Sequence, residues 1–337
     1  MHVPDHMIDD PTSVATATVA CATLAYAAYR SRGEITRRMI AMTAATGAVV
    51  FALQMVNYPV SAGTSGHLMG GVLAAALVGP WLGMISVTLV LMVQATLFAD
   101  GGLTALGTNT LLMAVLGTAA GWAVTRGVQR ARDGRLADSR YAPLAGGLGA
   151  LVSVPATAVG FVVLFAVGGA VAVPLGELTV SMLSVHALIG LGEGLITALV
   201  VTVVVAVAPG AARIDSRRES ASVQGTVPVS VRRAVVALST LAAASAIVLS
   251  SFAAASPDGL EATAGDLGFL DAAGTHALAS LPFADYGAAS GSPVGAAGLL
   301  GIVVVAALAA GLLAALRGNG PVGVTVSARG ASDVPAP

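Results

Sequence analysis

The stretch Gly63-Thr64-Ser65-Gly66-His67-Leu68-Met69-Gly70-Gly71-Val72-Leu73-Ala74-Ala75-Ala76-Leu77-Val78-Gly79-Pro80 decides how often this chain crosses a membrane. Its apolar part, about 67–79, is stopped by Gly79-Pro80, a strong break in helical structure. Thirteen residues at ~1.5 Å each reach only ~20 Å, against a hydrocarbon core of ~30 Å. The arginines nevertheless require the segment to cross. Around it, apolar stretches read as spans at about 13–29, 39–57, 81–98, 104–124, 142–171, 183–207, 234–254 and 294–316. Place the N-terminus outside and let the short segment cross. Then Arg30, Arg32, Arg37, Arg38, Arg126, Arg130, Arg132, Arg135, Arg140, Arg213, Arg217, Arg218, Arg232, Arg233, Arg317 and Arg329 all lie on the cytoplasmic side. Without the short crossing, those from Arg126 onward move outside. One end of the segment must therefore stop below the surface. If it is the His67 end, the non-helical backbone there needs a cover of protein. A polar N-terminal strand, Met1 to about Pro11, fits that gap.

The wider composition agrees with an all-α polytopic membrane protein of nine spans. Of 337 residues, 56% are hydrophobic and only 10% charged, where soluble domains carry about 25%. The only cysteine, Cys21, sits in an apolar run, which excludes an internal disulfide or a thiolate cluster. All sixteen basic residues are arginine. A phosphate-binding loop needs its lysine, so any ATP hydrolysis coupled to this chain belongs to another subunit. No nucleic-acid partner is expected. The start, with Asp5, Asp9 and Asp10, lacks the character of a secretory signal. His2 is bulky enough to leave Met1 in place, with a free amine.

That amine opens a metal hypothesis. The Met1 amine, the His2 amide nitrogen and the His2 imidazole Nδ1 can close a five-membered and a six-membered chelate ring on one ion. His67 is the candidate for a fourth nitrogen. Four nitrogens in a plane suit Ni²⁺ or Cu²⁺ rather than Mg²⁺ or Ca²⁺. On the assigned topology Asp5, Asp9, Asp10, Asp100, Glu177, Asp258, Glu261, Asp266, Asp271 and Asp285 face outward with no base opposing them, a surface that concentrates cations. His2, His6, His67, His186 and His276 lie on the same side or in the outer half of a span. Within the membrane, His186 and Glu193 are two helical turns apart and share a face. They serve either to orient the site or as a mutually satisfied pair that holds helices together. Gly190, Gly192 and Gly194 on that helix allow a neighbour to approach closely. Asn109, Gln54 and Asn57 are placed either to hydrogen-bond a ligand histidine or simply to join helices.

Six motifs in order carry a family resemblance. They are Met-His-Val-Pro-Asp, Gly-Thr-Ser-Gly-His-Leu-Met-Gly-Gly, Gly-Pro-Trp-Leu-Gly, Phe-Ala-Asp-Gly-Gly, Leu-Gly-Thr-Asn and His-Ala-Leu-Ile-Gly-Leu-Gly-Glu-Gly. Over about 1–208 the chain resembles the CbiM/NikM family, substrate-binding membrane components of energy-coupling-factor cobalt and nickel importers. The resemblance implies a seven-helix bundle and a metal site of the Met1 amine, the His2 amide and imidazole, and the His67 imidazole. Ser-Pro-Asp-Gly-Leu-Glu at 256–261 resembles the PDGLE signature of the companion CbiN/NikN-like component. The expected plan is then a seven-span component at 1–208 and a cytoplasmic linker at 209–231. A two-span component at 232–316 follows, with an outer loop at 255–293, and a disordered cytoplasmic tail at 317–337. The resemblance implies a CbiQ/NikQ-like transmembrane coupling subunit and two CbiO/NikO-like ATPases as partners, no cofactor, and Ni²⁺ or Co²⁺ as transported ion in a plasma-membrane importer. The usual start is Met-His-Ile-Pro-Asp-Gly; here position 6 is His6, as an axial ligand or pointing to solvent. Two rival readings remain. An intramembrane metalloenzyme would use His67, His186 and Glu193, but H-E-x-x-H is absent. An ion-gradient-driven secondary transporter would want internal repeats, and none is visible.

Overall fold

The computed structural model describes residues 1–61, 63–131, 138–217, 231–287 and 293–317. The N-terminal residues run extended into the protein, and Ile8 bridges to Gly169. Helix α1 (Asp10–Ser31) then starts on Asp9, whose side chain accepts from the Thr12 amide at 2.8 Å, with Pro11 in the first turn. Both residues favour a helix start. Helix α2 (Arg37–Gln54) is capped by Thr36 and is buried on all sides from Ala45 to Gln54. A helix apolar all round belongs at the centre of a bundle, and α2 is that centre.

Between α2 and the short segment lies structure that an all-helical reading omits. Strands β1 (Tyr58–Ser61) and β2 (Thr64–Gly66) form a small antiparallel hairpin, irregular between Pro59 and Ser61. Backbone held among helices must satisfy its own polar groups, and pairing the two arms does so. Residues 67–70 stay non-helical, and helix α3 covers only Gly71–Val78, every residue buried. Eight residues rise ~12 Å, so α3 is even shorter than its sequence suggested. Its last carbonyls need donors from elsewhere. The oxygens of Ala76 and Leu77 accept from the amides of Ile214 and Arg213, at 2.9 and 3.0 Å. The stretch read as the start of a free linker is therefore docked over residues 209–217, with Ala212 and Ile214 buried. Arg132, Arg135, Arg218, Arg329, the rest of the expected linker and the expected disordered tail beyond Arg317 lie outside the described residues.

Helix α4 (Pro80–Phe98) begins at the predicted break, and α5 (Leu106–Arg130) follows the Asp100-Gly101-Gly102 turn. Both contain a wider-wound section, Gln94–Phe98 and Thr110–Gly117, a departure common near functional sites. Helices α6 (Ala142–Gly168) and α7 (Leu175–Val207) pack backbone to backbone. A Cβ on Gly194 would stand 2.9 Å from the Gly147 oxygen, and one on Gly190 2.7 Å from the Leu151 oxygen. Gly192 instead takes the Tyr58 ring. Helix α7 starts eight residues earlier than hydropathy suggested, because Glu177 and Thr179 are tolerated in its first turns. Helix α8 (Val231–Ile247), the short α9 (Gly259–Asp266) and α10 (Val294–Leu316) complete the fold. Helices α8 and α10 lie against α2, where Gly301 accommodates the Phe51 ring and Gly47 the Val305 side chain.

Among the described residues, five helices are long and apolar enough to cross a membrane: α4, α5, α6 with its preceding turn, α7 and α10. The other helices are shorter or more polar. Leu195, Leu199, Val163 and Val180 point outward from α6 and α7, as lipid-facing residues do. The protein is a mostly helical, multi-pass membrane protein.

Candidate metal centre

The first eight residues form a segment threaded into the bundle, extended at first and turning at Asp5-His6, with Met1, Val3, Asp5, Met7 and Ile8 buried. Asn109 treats Val3 as a strand partner: its Oδ1 accepts from the Val3 amide at 2.8 Å and its Nδ2 donates to the Val3 carbonyl at 3.0 Å. The Gly102 amide donates to the same carbonyl at 2.9 Å. A Cβ on Gly102 would run into the Pro4–Asp5 backbone, so glycine is required where the α4–α5 turn meets the strand. Asp5 Oδ1 accepts from the amide and hydroxyl of Thr104, at 2.7 and 2.9 Å.

His67 meets this strand at its end. Its Nδ1 lies 2.9 Å from the Leu68 carbonyl, which can only accept, so Nδ1 carries the proton and Nε2 the free lone pair. Nε2 stands 2.5 Å from the Met1 amine. Two nitrogens cis on one ion, with bonds of ~2.0 Å, stand ~2.8 Å apart. The pair is thus nearly at chelating distance. The loop behind His67 is fixed by the polar residues of α2 and α7. Glu193 accepts from the amides of Met69 and Gly70 at 2.7 and 3.0 Å, and Gln54 Nε2 donates to the Met69 carbonyl at 2.8 Å.

His2 stacks on His67, with ring centroids 4.8 Å apart and planes 9° apart. Its Nδ1 is held by Asp100 Oδ1 at 2.9 Å, and its Nε2 is buried without a partner. A chelate built on that Nδ1 would require His2 to release Asp100. Asp100 also accepts from the Tyr286 hydroxyl at 2.6 Å. Burial works to raise its pKa, but the His2 ring, followed by Tyr286, outweighs burial and holds the carboxyl well below the usual range.

The segment that precedes α9 closes over these groups. Ser65 donates from its amide to the Pro257 carbonyl at 2.9 Å and from its hydroxyl to the Ser256 carbonyl at 2.7 Å. Asp258 then caps α9: its Oδ1 accepts from the amides of Leu260 and Glu261, while Glu261 accepts from the Asp258 amide. Asp258 Oδ2 is left over, 3.1 Å from the Met1 amine and 3.5 Å from His67 Nε2. Burial would raise the Asp258 pKa, but the N-terminal charge and then His67 hold it well below the ordinary value. Beside these groups lies a cavity of about 380 Å³, lined among others by His2, Asp5, Asp100, Asp258, Glu261 and His276.

The structure brings Met1, His2 and His67 together. Of the alternatives read for the supporting residues, the mutually satisfied pair is not formed, while Glu193 holds the loop behind His67. His186 and Glu193 are both buried on one face but do not pair: His186 Nδ1 donates to the Met182 carbonyl at 2.8 Å, while Glu193 is committed to the loop amides. Nor do Asn109 and Gln54 touch a ligand histidine; both bind backbone. His6 has a left-handed backbone, φ 62°, is exposed, and lies beside Gly274, away from the pair. His276 Nδ1 accepts from the Leu278 amide, and its Nε2 is 4.0 Å from Asp5. Sequence reasoning missed Asp100 and Asp258 as direct partners. The D-x-x-E spacing of Asp258 and Glu261, a capping box, was the available signal. Among the described residues no three His, Cys, Asp or Glu side chains form a metal cluster; the donor set here draws on main-chain nitrogens.

Comparison with known proteins identifies the family. Residues 2–211 match the CbiM family, described as the cobalt uptake substrate-specific transmembrane region, and residues 232–318 match the PDGLE domain. A protein of Archaeoglobus fulgidus, provisionally named fused nickel transport protein NikMN, is 35% identical over 243 residues, which are 72% of this chain and 76% of that protein. A Haloquadratum walsbyi protein, provisionally named a metal transport protein, is 33% identical over 211 residues, 62% of this chain and 92% of that one. The crystal structure of a truncated transition metal transporter aligns with a TM-score of 0.50 at 27% identity, covering 61% of this chain and 99% of its own. With more than half its length in the match, the chain belongs to the CbiM family of cobalt-uptake substrate-specific transmembrane regions, whose members here are named metal transport proteins, and carries a PDGLE domain behind it.

Proposed function

We infer that this chain captures Ni²⁺ or Co²⁺ on the extracytoplasmic side and passes it inward as the substrate-specific subunit of an ATP-driven energy-coupling-factor importer. The ligands are the Met1 amine, the His2 amide nitrogen and Nδ1, and His67 Nε2. One observation carries the reading: a buried terminal amine stands 2.5 Å from an imidazole nitrogen whose lone pair is turned toward it. The relatives' names, nickel and cobalt transport proteins, support the ion. The absence of lysine supports ATPases on separate chains, which we assign, with a coupling membrane subunit, to CbiQ/NikQ-like and CbiO/NikO-like partners. Nine spans with the N-terminus outside account for the arginines: helices such as α1 and α5 carry the site at one end and arginine at the other. The PDGLE loop sits over the mouth, gathers cations with its acids and seats the strand, as its contacts with Ser65, Asp5 and Met1 suggest. A gradient-driven transporter would want Glu193 as a mobile proton carrier, yet both its oxygens hold loop amides.

The test is an extended N-terminus. One residue added before Met1 moves the amine out of the chelate, and Ni²⁺ binding measured by calorimetry on the purified protein is expected to vanish. Wild-type affinity in the extended protein would sink the assignment. Vesicle uptake that requires the added ATPase and coupling subunits tests the energy source.

A further inference from the structure

We propose that Asp258, the acid of the PDGLE segment, is a direct apical oxygen ligand of the captured ion, which makes the site five-coordinate. The proposal rests on the reading of Met1, His2 and His67 as a four-nitrogen plane. Three mutually cis donors on one ion stand about 3 Å apart, given bonds of ~2.0–2.2 Å. The Met1 amine, His67 Nε2 and Asp258 Oδ2 make a triangle with sides of 2.5, 3.1 and 3.5 Å. Amine and imidazole are neighbours in the plane, so the third vertex is the apex above it. Asp258 is free to serve there because its two oxygens have separate tasks: Oδ1 caps α9, and Oδ2 faces the nitrogens.

Charge argues the same way. A divalent ion bound to a deprotonated amide keeps one positive charge in a site where Met1 and His67 are buried. A buried charge needs a counter-charge, and the Asp258 carboxylate supplies one. Without the ion, Oδ2 pairs with the protonated amine. When the ion takes the place of one ammonium proton and of the His2 amide proton, both released to solvent, Oδ2 passes from ammonium to metal without a large movement. Gly259 keeps the carboxylate in reach, because a Cβ there would press on Val185, Ile189 and the His186 ring.

The test loads the full chain, with an untagged N-terminus, with Ni²⁺ alone and records its X-ray absorption edge. Planar four-coordinate Ni²⁺ has a distinctive edge feature that an apical ligand removes. Wild type is expected to lack it, and Asp258→Asn and Asp258→Ser to show it. Asparagine and serine still cap helices, and serine is too short to reach the ion. Dissociation constants in both variants should rise at least about tenfold, the lower end of what outer partners contribute. A planar wild-type edge, or identical edges in wild type and variants, overturns the apical ligand. His67→Ala separates the two readings. If it binds Ni²⁺ like wild type, the four-nitrogen plane fails and the proposal with it; if affinity is lost while the wild-type edge is planar, only Asp258 is wrong.

Discussion

At the scale of single residues, the histidines divide by what their free nitrogen faces. His67 turns Nε2 to the Met1 amine, while His2 stacks on His67 with Nδ1 on Asp100 and Nε2 unpartnered. His276 is on the cavity wall, 4.0 Å from Asp5, and the His186 ring lies beside Gly259, behind Asp258. His2→Ala and His67→Ala are expected to lose more than the ~10–100-fold typical of an outer partner. His186→Ala should fall within that range, and His276→Ala should remain near wild type. Calorimetry that made His276→Ala the weakest binder would contradict this order. That the Met1 amine, the His2 amide and the His2 imidazole lie close together was legible, since positions 1 and 2 are neighbours by covalent structure. The partners of these groups were not. Asn109 reaches Val3 across 106 residues, and Asp258 reaches Met1 from the far component, contacts that no local spacing encodes.

The elements show where hydropathy stops informing. It located α4, α6 and α10 almost to the residue, because their ends coincide with Pro80, Ala142 after a polar turn, and Val294 after Pro293. It blurred the interval from Tyr58 to Gly70, where apolar and small residues serve a hairpin and a buried loop. It also misread 209–217, where Ala212 and Ile214 are few enough to look like linker but plug the carbonyl end of α3. Asp215 organises that plug, accepting from the Gly210 amide at 2.7 Å and from Arg217 at 2.8 Å. Asp215→Ala leaves the Gly210 amide without its acceptor and should cost about 1–3 kcal/mol. Burial raises the Asp215 pKa, but the Arg217 hydrogen bonds outweigh it and the result is lowered. A lowered folded pKa means stabilisation that is complete above ~4 and is lost as the pH falls further. Thermal unfolding should therefore separate wild type from Asp215→Asn at pH 7 and bring them together well below pH 4. A gap that widened on acidification would contradict the assignment.

For the whole molecule, the question is what the second component adds to the first. Helices α8 and α10 pack on α2, and their loop reaches over the strand through Gly274 to Asp5, Pro257 to Ser65 and Tyr286 to Asp100. Each of these contacts falls on a segment that bears a site residue or precedes one. Removing the second component therefore leaves every nitrogen donor in place but takes away the cover, the acids and Asp258. The cut must follow Arg217, not residue 210, because Arg213 and Ile214 close α3. A chain ending at 217 is expected to insert and fold, and to bind Ni²⁺ about tenfold or more weakly for want of Asp258. It should import little metal in cells that supply the ATPase and coupling subunits. Residues 231–337 expressed as a second chain should restore part of the uptake, since the contacts they make are non-covalent. Radiolabelled nickel accumulation measures both arms. Full uptake by the 217-residue chain alone would show that neither the loop nor Asp258 is needed for transport.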